Sequence, residues 1–168
     1  MQVINTPIPL EECVNLRVGD VVSISGNIFT GRDAVLSKIV DLAENGNLAE
    51  MGIDLKGSVI FHTAVSPAGV GPTSSNKVEI ESTFEPLAKA GVKMFLGKGA
   101  ISTGTIQALA KYNAVFAVIP PVTALLESQT LEREMIAFPE LGMEAFHRIK
   151  VSNYQAIIAA ANGRSIYE

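Results

Sequence analysis

The stretch Val21-Val22-Ser23-Ile24-Ser25-Gly26-Asn27-Ile28-Phe29-Thr30-Gly31-Arg32-Asp33 decides the fold class. Val21 to Ser25 is rich in β-branched residues and follows Arg17-Val18-Gly19-Asp20, which carries the Gly and Asp of a turn, so a strand is predicted from Val21. Gly26 to Asp33 reads as a loop, after which Val35, Ile39, Leu42 and Ala43 recur at helical spacing as far as Asn45-Gly46. Strand, loop and amphipathic helix in that order form the first unit of an α/β chain. Thr30 and Asp33 make a capping-box variant, which sets an anion-favouring helix N-terminus beside Arg32.

The pattern then recurs. Ser58 to His62 is a second buried strand running into the polar loop Ser66 to Lys77, and Thr83 to Ala90 is a helix closed by Gly91. Val92 to Leu96 is a third strand, ending at Gly97-Lys98-Gly99, and Thr103 to Lys111 a further helix. Ala114 to Ile119 is a fourth strand and Pro121 to Leu126 a short helix opened by proline, while Phe146 to Val151 and Ala156 to Ala160 are late strands around the turn Ser152-Asn153. Neither a linker nor a repeat interrupts this order, so residues 1–168 are expected to form a single α/β domain.

Composition bounds the chemistry. A chain of 168 residues, 48% hydrophobic, buries enough surface to need no disulfide or metal staple. With 13 Lys+Arg against 17 Asp+Glu the net charge is -4, which gives no field for nucleic acid or an anionic membrane. The apolar run from Tyr112 to Leu126 is broken by Pro120-Pro121 and is too short to span a bilayer. Cys13, the single cysteine, cannot form an internal disulfide or supply alone the sulfurs of an iron-sulfur cluster or structural zinc. His62 and His147 stand in no metal-ligand spacing. The N-terminus shows no secretory pattern, so a cytoplasmic location is expected. The hydrophobic fraction, with a mean hydropathy of +0.30, predicts an apolar face for a partner or second copy.

Three strand ends are followed by Gly-containing polar loops bearing one cation each, Arg32, Lys77 and Lys98. In an α/β layer such loops gather at the carboxyl edge of the sheet, where Arg offers a bidentate fork and Lys a point charge to a small compound with two carboxylates or phosphates. A nucleotide P-loop is excluded, because five residues separate Gly91 from Gly97 and Gly99 follows Lys98. No G-x-S-x-G nucleophile elbow occurs. Thr73 is a loop hydroxyl that needs a neighbouring cation or a metal-bound substrate to act as a base. His62 reads as a core or loop histidine, with a general base or a phosphorylated carrier histidine as alternatives, and His147 reads as structural.

Three motifs in this order, Ser25 to Asp33, Gly71-Pro72-Thr73-Ser74-Ser75-Asn76-Lys77 and Gly97-Lys98-Gly99, joined by Leu141-Gly142-Met143-Glu144-Ala145 and the late Tyr167, carry a resemblance. Over almost its whole length the chain resembles the β subunit, or C-terminal domain, of class I iron-sulfur-dependent fumarate hydratases and L-tartrate dehydratases. The resemblance implies a swivelling β/β/α domain and a hydro-lyase active site completed by an α subunit that carries a four-iron four-sulfur cluster, with none bound by this chain. It implies that Arg32 binds one substrate carboxylate, that Lys98 binds or neutralises the second, and that Thr73 belongs to the base machinery together with an aspartate of the α subunit. It also implies a hetero-oligomer, a dimer of αβ pairs, acting on fumarate and malate first and tartrate second. One departure stands out: Lys77 occupies the position where the family normally has arginine, which keeps the charge but loses the fork. A noncatalytic paralogue that binds a dicarboxylate or a partner is the alternative this departure raises.

Overall fold

The computed structural model describes residues 1–66, 69–72, 77–119, 126 and 128–167, with the side chains of 64–80 outside that description. In chain order the elements are β1 Gln2–Asn5, α1 Leu10–Cys13, β2 Val21–Gly31, α2 Asp33–Glu44, β3 Val59–Ser66, β4 Gly69–Pro72, α3 Lys77–Lys89 and β5 Met94–Gly97. They continue with α4 Thr103–Lys111, β6 Val115–Val118, β7 Thr130–Ala137, a 3₁₀ segment Pro139–Glu144, β8 Phe146–Ala161 and β9 Arg164–Ser165. Helices and strands alternate through the first two thirds, as an α/β chain requires. No helix among the described residues is long and apolar enough to cross a membrane.

The strands run in the order β1-β2-β3-β5-β6-β8-β7, and a further pairing of β2 with β8 closes β2, β3, β5, β6 and β8 into a ring. Within it β2, β3, β5 and β6 are parallel and β8 runs against both β2 and β6. One apolar cluster fills the ring, with Ile24 and Ile28 of β2, Phe61 of β3, Leu96 of β5, Ala117 of β6 and Ile149 of β8. A second lies outside it under the helices, where Val35, Leu36 and Ile39 of α2 and Phe84 and Leu87 of α3 meet Ile60, Phe95 and Phe116. Alternation along each strand produces the division: Ile60 faces the helices and Phe61 the ring interior, and full burial of each such side chain contributes about 1.5–3 kcal/mol.

Several boundaries differ from the sequence expectations. Residues 26–31, expected as loop, continue β2, because β8 pairs with them on one side and β3 pairs with Phe29, Thr30 and Gly31 on the other. The strand survives Gly26 through a bulge at φ +116°, where a Cβ would lie 2.4 Å from Thr6 Oγ1. The capping box accordingly does not form: Arg32 is the N-cap of α2 and makes no side-chain capping bond, while Thr30 is a strand residue, fully buried, facing the ring interior opposite His147. The two late strands are one, β8, carried through the expected turn by Asn153 in the left-handed region. α3 begins at Lys77 and accommodates Pro86, and the segment after Ser66 contains β4, hairpin-paired with β3. The helix expected at Pro121 to Leu126 lies outside the described residues except for Leu126.

Candidate active site

β2, β3 and β5 are adjacent and parallel, so their carboxyl ends share one edge, and Arg32 and Lys98 immediately follow the first and third of them. The ends of β2 and β5 are two strand spacings apart, about 10 Å, a gap that long Arg and Lys side chains can narrow around a compound of a few carbons. Arg32 is held where β2 turns into α2, with a quarter of its side chain exposed, and its Nη1 lies 3.3 Å from Glu144 Oε1. Glu144 ends the segment Pro139–Glu144, which packs against both β3 and α2. Lys98 is exposed, in the short connection between β5 and α4.

Glu81 of α3 fixes the connection carrying Lys98. Its Oε1 accepts from the Ser102 backbone N–H at 2.8 Å and from Thr105 Oγ1 at 2.7 Å. Ser102 caps α4 in turn, accepting from the Thr105 backbone N–H at 3.3 Å. A carboxylate and a hydroxyl thus satisfy donors at a helix start that would otherwise lack partners, four residues after Lys98. The same bonds bring the first turns of α3 to this edge, and α3 opens with Lys77. Thr73 lies outside the described residues, as does the side chain of Lys77. Of the four residues expected at the site, the described structure therefore brings Arg32 and Lys98 to one edge and adds the backbone position of Lys77.

Sequence reasoning passed over Glu144 and Glu81 as site-supporting residues. Glu144 belongs to a quoted motif, but its pairing with Arg32 spans more than a hundred positions, and Glu81 is one acid in an ordinary amphipathic helix. His62 is 7% exposed on β3 between the two cation-bearing strand ends, too enclosed to meet a phosphodonor protein as a carrier histidine must. His147 is buried; burial lowers its pKa, while Nδ1, 3.0 Å from the Ala145 carbonyl, partly offsets that. A separate groove of about 350 Å³, lined by Asn27, Glu132, Arg133, Glu134, Arg148 and Lys150, contains none of the expected site residues. It is bridged by Arg148 Nη2 donating to Glu134 Oε2 at 2.6 Å.

The residues do not fit an iron-sulfur cluster on this chain. Among the described residues no group of three His, Cys, Asp or Glu could hold a metal. Cys13 is buried on α1, burial pushes its thiol up to about 11, and Lys93, the nearest cation acting on it, precedes β5 at the strand end opposite Lys98. A protonated, enclosed thiol at the far edge is a poor ligand for anything bound near Arg32.

A ring of parallel strands whose carboxyl ends carry separate cations defines an α/β chain built to present charge to a small anionic compound at one edge. The chain belongs to the family described as fumarase C-terminus, whose model matches residues 2–168. It is 29% identical over 171 residues to the β subunit of L(+)-tartrate dehydratase from Escherichia coli, covering 95% of this chain and 82% of that protein. A provisionally named L(+)-tartrate dehydratase β subunit from Methanocaldococcus jannaschii is 29% identical over 168 residues, covering 91% of this chain and 84% of its own length. A protein of Geobacillus stearothermophilus provisionally named a class I fumarate hydratase is 28% identical over 178 residues, which cover 98% of this chain but 33% of that longer protein.

Proposed function

We propose that this chain is the β subunit of a two-subunit hydro-lyase that adds or removes water on a small dicarboxylate, either fumarate and malate or tartrate, and that it swivels as a domain against its α subunit. The observation that carries the reading is the placement of Arg32 and Lys98 on strand ends that flank β3 at one edge. Family membership and the names of the relatives support it.

In this reading Arg32 and Lys98 each take one carboxylate. The Arg32 fork fixes orientation and Lys98 supplies compact charge. Removing a proton from carbon beside a carboxylate builds negative charge on that carboxylate, so cations already in place stabilise the intermediate more than the ground state. Thr73, on the loop between β4 and α3, serves the proton transfer, and Lys77 adds charge at the start of α3. The α subunit carries the four-iron four-sulfur cluster, which supplies Lewis-acid help to the departing hydroxyl. The exposed strand β7, with Leu131 58% and Met135 45% exposed, is apolar surface available for association in a dimer of αβ pairs.

The test is anaerobic affinity purification of the chain from its native cells, with the partner identified by mass spectrometry, iron measured, and dehydration of malate and tartrate assayed. The expected result is a cysteine-bearing partner, bound iron and turnover. An iron-free homo-oligomer that binds a dicarboxylate without turnover would overturn the hydro-lyase reading in favour of a noncatalytic binding protein, the alternative that Lys77 raises.

A further inference from the structure

His62 lies between the two cation-bearing strands, in a row that the sheet register defines. It pairs with Gly31 on β2, and one position before it Phe61 pairs with Leu96, which sets Gly97 beside it on β5. Gly31 precedes Arg32 and Gly97 precedes Lys98. A Cβ at Gly97 would point to the same side as His62, 4.0 Å from its Cβ, and a Cβ at Gly31 would point to α2, 2.8 Å from Val35 Cγ1. Both lateral neighbours thus lack a side chain, and the imidazole is the one side chain of the row between the Arg32 strand and the Lys98 strand. Below it on the same face the layer is apolar, with Ile60, Phe95 and Phe116. His62 is the polar residue where that layer reaches the edge, and Pro139–Glu144, the segment that delivers Glu144 to Arg32, packs against its strand.

We propose that His62 is a third substrate-contacting side chain, placed under the middle carbons of a compound whose end carboxylates are taken by Arg32 and Lys98, and that it selects a substrate with a hydroxyl on both middle carbons over one with a single hydroxyl. The inference rests on the dicarboxylate hydro-lyase reading and deepens it. An imidazole can donate from one nitrogen and accept at the other, which suits a hydroxyl that itself does both. Arg32 and Lys98 recognise carboxylates that malate and tartrate share, so they cannot tell the two apart. A buried hydrogen-bonding group facing the middle of the substrate can, because a compound lacking the hydroxyl leaves that group without a partner.

The test compares H62L and H62Q with the wild type in the purified αβ complex, measuring kcat/KM for tartrate and for malate. Anaerobic thermal shifts with each compound are recorded on the same samples, and each variant's melting temperature without ligand reports its fold. In H62L both rates fall, but tartrate is expected to fall about 10-fold or more beyond malate, and H62Q, which keeps a donor near the position of Nε2, recovers most of the difference. Equal losses for both compounds, or a wild-type preference for malate that H62L leaves unaltered, overturn the selection role. A wild-type complex that turns over neither compound sinks the hydro-lyase reading instead. His62 is then judged by binding: a tartrate-induced shift larger than that of malate, and lost in H62L, sustains the contact, and its persistence in H62L refutes it.

Discussion

Arg32 and Glu144, 112 positions apart, meet at 3.3 Å where β2 turns into α2, so the cation expected to hold a substrate carboxylate is itself held by a carboxylate of the chain. Glu144 is 41% exposed, so the pair contributes at most about 1 kcal/mol to stability. Its role is to orient the guanidinium. E144A is expected to raise KM for the dicarboxylate about 5- to 10-fold, with kcat and thermal stability little changed, as steady-state kinetics and a melting curve of the complex would show. A lowered KM would instead mean that Glu144 competes with substrate for Arg32.

Arg32 and Lys98 differ in what a conservative exchange can rescue. R32A and K98A are both expected to lower kcat/KM at least 100-fold, about 3 kcal/mol of transition-state stabilisation. R32K is expected to restore little, because lysine lacks the fork, whereas K98R restores part, because only charge is required there. Lys98 is exposed and K98A leaves the fold intact, so unchanged activity in that variant would remove Lys98 from the site.

Glu81 ties α3 to the Lys98 connection through Ser102 N–H and Thr105 Oγ1, at 2.8 and 2.7 Å. E81A removes a charge-assisted cap and is expected to cost about 1–2 kcal/mol in denaturant unfolding, with E81Q losing less. Because the cap holds the connection that bears Lys98, kcat/KM should fall in E81A as well. A stability loss with unaltered kinetics would show that Lys98 is positioned by other contacts.

His147 sets an acid limit. Burial lowers its pKa below the ordinary 6.5, so the unfolded chain binds its proton at higher pH than the folded chain does. Between these two values the unfolded state carries more protons, and stability rises with pH. The contribution of this residue is therefore complete above about pH 6.5 and is lost as pH falls toward the folded value. Melting temperatures measured from pH 7.5 to 5.0 should decline more steeply in the wild type than in H147Q, and parallel curves would mean that other groups govern the acid slope.

Cys13 should be indifferent to both metal and activity. Its enclosed thiol, raised to about 11, is expected to react with thiol reagents far more slowly than a free cysteine at pH 8. C13A should leave the iron content of the complex unchanged, and a parallel fall in iron would place a ligand on this chain.

The sequence by itself determined the α/β class, the order of the strands and helices that alternate along it, and the residues whose chemistry matters, because hydrophobic periodicity, glycine-bounded loops and cation-bearing motifs are local properties. Arg32 and Lys98 were legible on that ground, and so was the absence of a thiolate set for a cluster. Tertiary structure alone decided what lies beside them. Residues 26–31 became strand because β3 and β8 supply hydrogen-bond partners on both sides, which also turned Thr30 from a helix cap into a residue of the ring interior. The closure of β2 onto β8, the pairing of Glu144 with Arg32, the reach of Glu81 to Ser102 and the position of His62 between two glycines all join residues distant along the chain. Such contacts leave no periodic signal, since their free energy depends on strand register and burial that exist only once the ring has closed.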